Sequence, residues 1–178
     1  SDDAKEKMKN RKTPIASFYA NLMAFDGYYE KKWFPYTMPI SDIYGLRAAF
    51  NLIAGDKTLY ERHARIGSAT RAAVKEAGLK LHLQSGYSNT VTVFDIPECT
   101  DAKSILDEMR TKYNIMLAGS FDELSGKVIR IGHMGENARL EHMVPALEAL
   151  SATLTDLGVT LQGNLADLFL KHYREFQD

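Results

Sequence analysis

One charged side chain stands in the middle of an apolar stretch in the last third of the chain. Arg130 lies within the run Lys127 to Ile131, which is followed by Gly132 and Gly135. Burying a guanidinium without a partner is costly, so Arg130 is expected to face an anion or a carboxylate. Its planar group offers two parallel donors that match the two oxygens of a carboxylate. From spacing alone, an edge-strand arginine or a structural ion pair remains open.

A threonine in a proline-braced turn is the second candidate. Thr37 lies between Pro35 and Pro39, and the two prolines forbid a regular helix before Pro39. A hydroxyl beside exposed backbone amides suits a phosphate, although a threonine in a turn is by itself an unspecific signal. Pro39 then suits the first turn of a following helix.

The other reactive side chains form no recognisable site in the sequence. The five histidines are scattered, and none has a cysteine or carboxylate at metal-ligand spacing, so no metal site is expected. His133 is interpreted as a turn or supporting histidine rather than an acid or base. The acidic surroundings of Cys99 favour a buried or incidental thiol over a nucleophile. Neither a nucleophile elbow nor a glycine-rich phosphate loop is found.

The elements that would position these residues follow from hydrophobic periodicity. Apolar spacing predicts helices over 5–10, 43–55, 57–77, 102–113, 143–157 and 164–176, and positions 18, 22, 25 and 29 also have helical spacing. Alternation or short apolar runs predict strands over 79–83, 90–94, 115–118 and 127–131. The expected fold class is α+β, with a small, mainly antiparallel sheet of about four strands packed against helices and long helices at both ends.

Composition excludes several classes of protein. The 178 residues carry 22 basic and 23 acidic side chains, and the basic residues of 5–12 are interspersed with acids, so no nucleic-acid partner is expected. The chain has neither an apolar run of about 20 residues nor a signal peptide at its start, so no membrane association is expected. The single cysteine is compatible with a reducing cytosol, and a cytoplasmic location is expected.

Several segments, in the same order along the chain, resemble one enzyme family. The run 126–137, GKVIRIGHMGEN, is similar to a signature near the C-terminus of alanine:glyoxylate and serine:pyruvate aminotransferases, which are class V enzymes. The stretches YTMPIS and IYGLR within 36–47, TVTVFDIP at 90–97 and IMLAG at 115–119 also resemble that family. The resemblance covers about residues 1–155 and points to the C-terminal small domain of a fold-type I, pyridoxal-phosphate-dependent aminotransferase.

The resemblance implies roles for both candidate residues. The arginine at the position of Arg130 binds the α-carboxylate of the amino-acid substrate, and the threonine at the position of Thr37 reaches the cofactor phosphate of the partner subunit. The implied cofactor is pyridoxal 5'-phosphate, the partners are amino-acid and 2-oxo-acid substrates, and the full-length protein is expected to be a homodimer. Phe34, where the family often has tyrosine, and Ser120, where it has a second glycine, depart from the pattern.

The resemblance also implies what this chain lacks. The Schiff-base lysine and the aspartate that partners the pyridine nitrogen lie in the family's large domain, N-terminal to this sequence. Residues 1–178 are therefore expected to be a single small domain with its N-terminal connecting helices. No catalytic residue is nominated, and the isolated chain is expected to be inactive and not to bind pyridoxal phosphate stably. The parent would transfer an amino group from an alanine- or serine-type donor to glyoxylate or pyruvate.

A second hypothesis comes from a different class of protein. The chain would be a free-standing α+β binding or regulatory module without catalysis, similar to the small domain only in the order of its strands and helices. The two hypotheses differ in whether a large domain is encoded upstream.

Overall fold

A computed structural model describes residues 1–176 and divides the chain after Gly55. The two units are Ser1–Gly55 and Asp56–Asp178. The prediction of a single domain with connecting helices stays a prediction. In the part of the chain that the structure describes, no helix is both long enough and apolar enough to cross a bilayer.

The first unit contains two α-helices, α1 (Asp2–Lys9) and α2 (Ile40–Gly55), and a short 3-10 helix at Leu22–Phe25. The hydroxyl of Ser1 caps α1 by accepting from the amide of Ala4. The helical spacing of residues 18–29 gave a wrong prediction, because the segment forms only turns around the 3-10 helix. Gly27 adopts φ 70°, outside the helical region, and interrupts any continuous helix there.

The second unit contains four helices, and the helix predicted to start at 143 begins three residues earlier. These are α3 (Leu59–Glu76), α4 (Ala102–Tyr113), α5 (Leu140–Asp156) and α6 (Leu165–Glu175). Asp101 caps α4, Asn164 caps α6, and Gly78, at φ 87°, follows the end of α3. The helices predicted over 57–77, 102–113 and 164–176 are thus confirmed.

The sheet is smaller than predicted. Strands β1 (Val91–Asp95) and β2 (Val128–Gly132) pair antiparallel, with Val93 opposite Arg130. The two other predicted strands, 79–83 and 115–118, form only isolated bridges, from Leu81 to Phe94 and from Ala118 to Arg130. The expectation of about four strands was therefore wrong, while the α+β class is confirmed.

Local chemistry explains why the two flanking segments stop at one bridge each. After Ala118, the carbonyl of Gly119 accepts from the side chain of Arg130 instead of extending the backbone ladder. After Leu81, the chain turns away through Gly86, which adopts φ 73°. Each flanking segment therefore lies beside the sheet without becoming a full strand.

The core of the second unit lies between one face of the sheet and the helices. Thr92 and Phe94 of β1 and Ile129 and Ile131 of β2 are at most 2% exposed. Opposite residues of an antiparallel pair share a face, so these four side chains form the covered face. The other face carries Val93 and Arg130, both only half-buried. Helices α3, α5 and α6 supply most of the remaining buried side chains: Ile66, Ala69, Ala73, Val74, Met143, Leu147, Ala149, Leu150, Leu154, Leu165, Ala166 and Phe169.

Candidate functional site

Arg130 is the central residue of β2 and has backbone partners on both sides. It pairs with Val93 on one side and bridges to Ala118 on the other, where its backbone amide donates to the carbonyl of Ala118 at 2.7 Å. The side chain leaves the face opposite the core and is half-buried. Because the sheet of the described residues has two strands and the contact to Ala118 is an isolated bridge, the edge-strand alternative for this arginine stays open.

The guanidinium of Arg130 has one hydrogen bond and no ion pair within residues 1–176. Its Nε donates to the carbonyl of Gly119 at 2.5 Å, and its Cζ lies 5.7 Å from the centroid of the Phe121 ring. The ion pairs of the described residues do not include Arg130, so the structural ion-pair alternative has no support there. A half-buried cation without an acidic partner is suited to bind an external anion.

Arg130 is among the residues that line a cavity of about 600 Å³. Arg130 contributes the guanidinium side chain of its lining, Glu141 a carboxyl group, and Asn137 and His142 further polar groups. The apolar part is built from the segment before Gly119, from β2 and from the start of α5, and includes Val91, Ile115, Leu117, Met134, Met143 and Ala146. An apolar cavity with one fixed cation can bind a small organic carboxylate and orient it.

The turn beside the cavity accommodates Ser120 without strain. Neither Gly119 nor Ser120 has a positive φ, whereas Asp122 adopts the left-handed region at φ 51° and Gly126 at φ 72°. A serine in place of the family's second glycine therefore meets no backbone restriction at this position. The unusual conformation lies two residues later, at a position that the sequence pattern did not single out.

His133 follows β2 but does not line the cavity. The side chain is fully buried; its Nε2 accepts from the Thr92 hydroxyl at 2.8 Å, and its Nδ1 donates to the Asn89 carbonyl at 3.2 Å. Burial lowers the pKa of His133 to about 4, so the ring is neutral at pH 7. It fixes the start of β1 against the end of β2, which agrees with the prediction of a supporting histidine.

Sequence reasoning missed two polar links that hold the site's scaffold. Arg71 of α3 donates to the carbonyl of Ser88 at 2.9 Å and stacks on Tyr87, with 4.9 Å between Cζ and the ring centroid. His63, also on α3, accepts from the amide of Gly135 at 3.0 Å. The partners are 17 and 72 residues apart, and no local spacing signals such pairs.

Thr37 lies in the first unit, whereas Arg130 lies in the second. Thr37 is exposed in the irregular segment three residues before the first residue of α2. The neighbouring Tyr36 is half-buried, and its hydroxyl donates to the carbonyl of Phe18 at 2.5 Å. Phe34 packs edge-on against Phe25, at 5.5 Å between ring centroids. Thr37 is thus an exposed residue in a segment whose neighbours Phe34 and Tyr36 contact other aromatic rings.

The remaining candidate groups are the metal-binding side chains and the thiol of Cys99. Within residues 1–176, no cluster of three or more His, Cys, Asp or Glu side chains is arranged to hold a metal ion. Cys99 is exposed rather than buried, and its Sγ lies 3.8 Å from the carbonyl oxygen of Gly158.

Comparison with known proteins gives a consistent result. The chain is similar to serine–glyoxylate aminotransferase of Methylorubrum extorquens, at 36% identity over 165 residues covering 88% of this chain and 40% of that protein. Pyridoxamine–pyruvate transaminase of Mesorhizobium japonicum is 32% identical over 163 residues covering 89% of this chain and 42% of that protein. No family model matches the chain.

Solved structures show the same likeness in three dimensions. Ureidoglycine–glyoxylate aminotransferase of Bacillus subtilis superposes with a TM-score of 0.85 at 30% identity, covering 98% of this chain and 46% of that chain. The chain spans about two fifths of the length of the curated relatives it matches. The relatives that this chain resembles in sequence and in fold are class V aminotransferases, and the chain is similar to a part of them.

Proposed function

We propose that this chain is the C-terminal small-domain part of a pyridoxal-phosphate-dependent aminotransferase and supplies its carboxylate-binding arginine. The observation that carries the proposal is that Arg130 lines a cavity of about 600 Å³ and that its guanidinium has no acidic partner in the described residues. Amino acids and 2-oxo acids share a carboxylate, so one arginine serves both substrates of a transamination. Holding that carboxylate fixes the orientation of the reacting carbon.

Thr37 is proposed to donate its hydroxyl to the cofactor phosphate. Its exposure and its place just before α2 fit this role, because the amino end of a helix favours negative charge. When bound, pyridoxal phosphate supplies the electron sink that transamination needs. The chain itself provides one phosphate contact and no nominated lysine, so we expect the isolated chain neither to retain the cofactor nor to turn over.

The parent protein is proposed to be a cytoplasmic homodimer that takes an amino-acid donor and a 2-oxo-acid acceptor. The relatives' names include serine–glyoxylate, L-aspartate–glyoxylate and pyridoxamine–pyruvate transaminases, so the carboxylate site is compatible with several donors and acceptors. A donor of the alanine or serine type with glyoxylate or pyruvate is the proposed pair. The dimer is supported by the many apolar side chains that the first unit exposes.

The test is an Arg130→Ala substitution in the complete gene product that contains this chain. Loss of a charge-assisted carboxylate contact removes about 3 kcal/mol of binding, which lowers kcat/KM about 100-fold for amino and oxo acids alike. The expected signature is a raised KM for both substrates. The measurement is steady-state transamination with alanine or serine and glyoxylate or pyruvate.

Two controls complete this experiment. Arg110→Ala removes an arginine that is exposed on α4, outside the cavity, and should leave both KM values unchanged. The 178-residue chain alone, supplied with pyridoxal phosphate, should show no transamination. Unchanged kinetics of Arg130→Ala with every substrate would contradict the proposed role of the arginine.

A further inference from the structure

The aromatic side chain of Phe121 lies largely exposed to solvent. It is 70% exposed, and none of the aromatic pairs among residues 1–176 includes it. The guanidinium of Arg130 lies over the ring, with Cζ 5.7 Å from the ring centroid. An arginine cation within about 6 Å of an aromatic centroid is attracted by the ring's quadrupole. The Phe121 ring therefore has the cation of Arg130 as a neighbour.

The backbone holds Phe121 in this place. The amide of Leu124 donates to the carbonyl of Phe121 at 3.2 Å, and the amide of Ser125 donates to the carbonyl of Asp122 at 3.0 Å. Asp122 takes the left-handed conformation at φ 51°, which reverses the chain directly after Phe121. The loop is thus built as a defined turn that ends where β2 begins, and it carries the ring to Arg130.

Two groups of this loop restrain the guanidinium in different ways. The carbonyl of Gly119 accepts from Nε, so that edge of the group is already occupied. The Phe121 ring lies near Cζ and restricts the swing of the side chain. Of the five N–H donors of an arginine, the four on the two terminal nitrogens remain for a ligand. A carboxylate can then bind end-on, with one oxygen on each terminal nitrogen.

We infer that Phe121 is a positioning residue of the carboxylate site, which together with the Gly119 carbonyl presents the terminal nitrogens of Arg130 to the ligand end-on. This inference rests on the proposed carboxylate role of Arg130. The ring reduces the freedom that Arg130 loses on binding and keeps water from that part of the cation. At an exposed site, removal of a cation–π contact is expected to weaken ligand binding about two- to five-fold.

The experiment follows the side-chain Nε–H signal of Arg130 by ¹⁵N-edited NMR in the complete gene product that contains this chain, with pyruvate as the probe. The wild-type signal should be protected from hydrogen exchange and should shift on titration with pyruvate. Phe121→Leu keeps apolar volume but removes the ring; it should speed exchange of that N–H and raise the Kd for pyruvate about two- to five-fold. Phe121→Tyr keeps the ring and should restore both values.

The matched control is Tyr60→Leu, which removes an 86% exposed ring of α3 that does not line the cavity. It should change neither the exchange rate nor the Kd. The Arg130→Gln variant tests the carboxylate role of Arg130 separately from the positioning role of Phe121, because it should abolish pyruvate binding. If pyruvate fails to bind the wild type, or binds Arg130→Gln equally well, the carboxylate role falls and Phe121 loses its function with it. If Arg130→Gln loses binding while Phe121→Leu binds like the wild type, only the role of Phe121 is overturned.

Discussion

The two units of the chain use apolar residues in opposite ways. In Ser1–Gly55 no residue is buried, and α2 exposes side chains around its whole circumference, including Leu46, Phe50 and Leu52 at 66–77%. In α3, by contrast, one stripe containing Ile66, Ala73 and Val74 is fully buried. A helix that is apolar on all sides is characteristic of a buried helix. Periodicity thus predicts a helix in both units, but it does not tell whether other residues of this chain bury the apolar side chains of that helix.

This contrast bears on where stability and assembly reside. The second unit has a core of its own, and its folding free energy should come from that core. The first unit exposes a large apolar surface, and surfaces of this size mark interaction sites. The proposed large domain and the proposed partner subunit are its expected neighbours. Substitutions of the same kind in the two units should therefore differ sharply in their effect on unfolding.

The largest difference is expected for phenylalanine. Phe169 of α6 is fully buried, and Phe169→Ala should lower the free energy of unfolding by about 3–5 kcal/mol, because it removes apolar contacts and leaves a cavity. The matched variant is Phe50→Ala in α2, where the ring is 66% exposed. It should change the free energy of unfolding by less than about 0.5 kcal/mol. Urea unfolding of each variant, followed by circular dichroism, gives both values; equal losses would contradict the contrast.

Much of the second unit was predictable because its signals are local. Helix α4 begins after the cap Asp101 and ends at Asn114, which takes the left-handed φ of 54°, and its predicted bounds match the structure. The strand around Arg130 was found from one charge in an apolar run. The segments 79–83 and 115–118 are predicted as strands from their apolar patterns. Such a pattern does not reveal that the carbonyl of Gly119, which follows the second segment, accepts a hydrogen bond from the side chain of Arg130. Strand pairing depends on such long-range competition, which sequence spacing does not encode.

The candidate site was predictable in its principal residue but not in its surroundings. Arg130 can be singled out from the cost of burying a charge, and its proposed role follows from the family resemblance. Phe121 gave no signal, because an aromatic residue in a polar loop has no characteristic spacing. The buried contacts of His133 join residues 41 and 44 positions away, and only folding brings them together.

The free energy of unfolding should depend on pH through the buried side chain of His133 in the second unit. Burial lowers the pKa of His133 to about 4, whereas an unfolded histidine titrates near 6.5. Between these values the unfolded state binds the extra proton, so stability should fall as the pH decreases from about 6.5 to about 4. The loss from this group is at most about 3 kcal/mol, and its contribution is fully present at pH 7.

His133→Gln isolates this contribution. The variant keeps a hydrogen-bonding side chain but removes the titration, so its free energy of unfolding should depend less on pH over the same window than that of the wild type. Urea unfolding at several pH values between 4 and 7 measures the two slopes. Other carboxyl and histidine groups titrate in both proteins, and the difference between the slopes therefore belongs to His133. Parallel slopes would show that the buried ring can be protonated without cost.

The smallest effect concerns two asparagines that cap helices in the same way. The side chain of Asn164 accepts from the amides of Ala166 and Asp167 at the start of α6, and that of Asn21 accepts from the amide of Met23 at the start of the 3-10 helix. Asn164→Ala should cost about 1 kcal/mol of unfolding free energy, since α6 packs its apolar face into the core. Asn21→Ala should leave the unfolding midpoint in urea unchanged, because no residue of its unit is buried. Similar losses in the two variants would mean that the first unit unfolds together with the core and contributes to its stability.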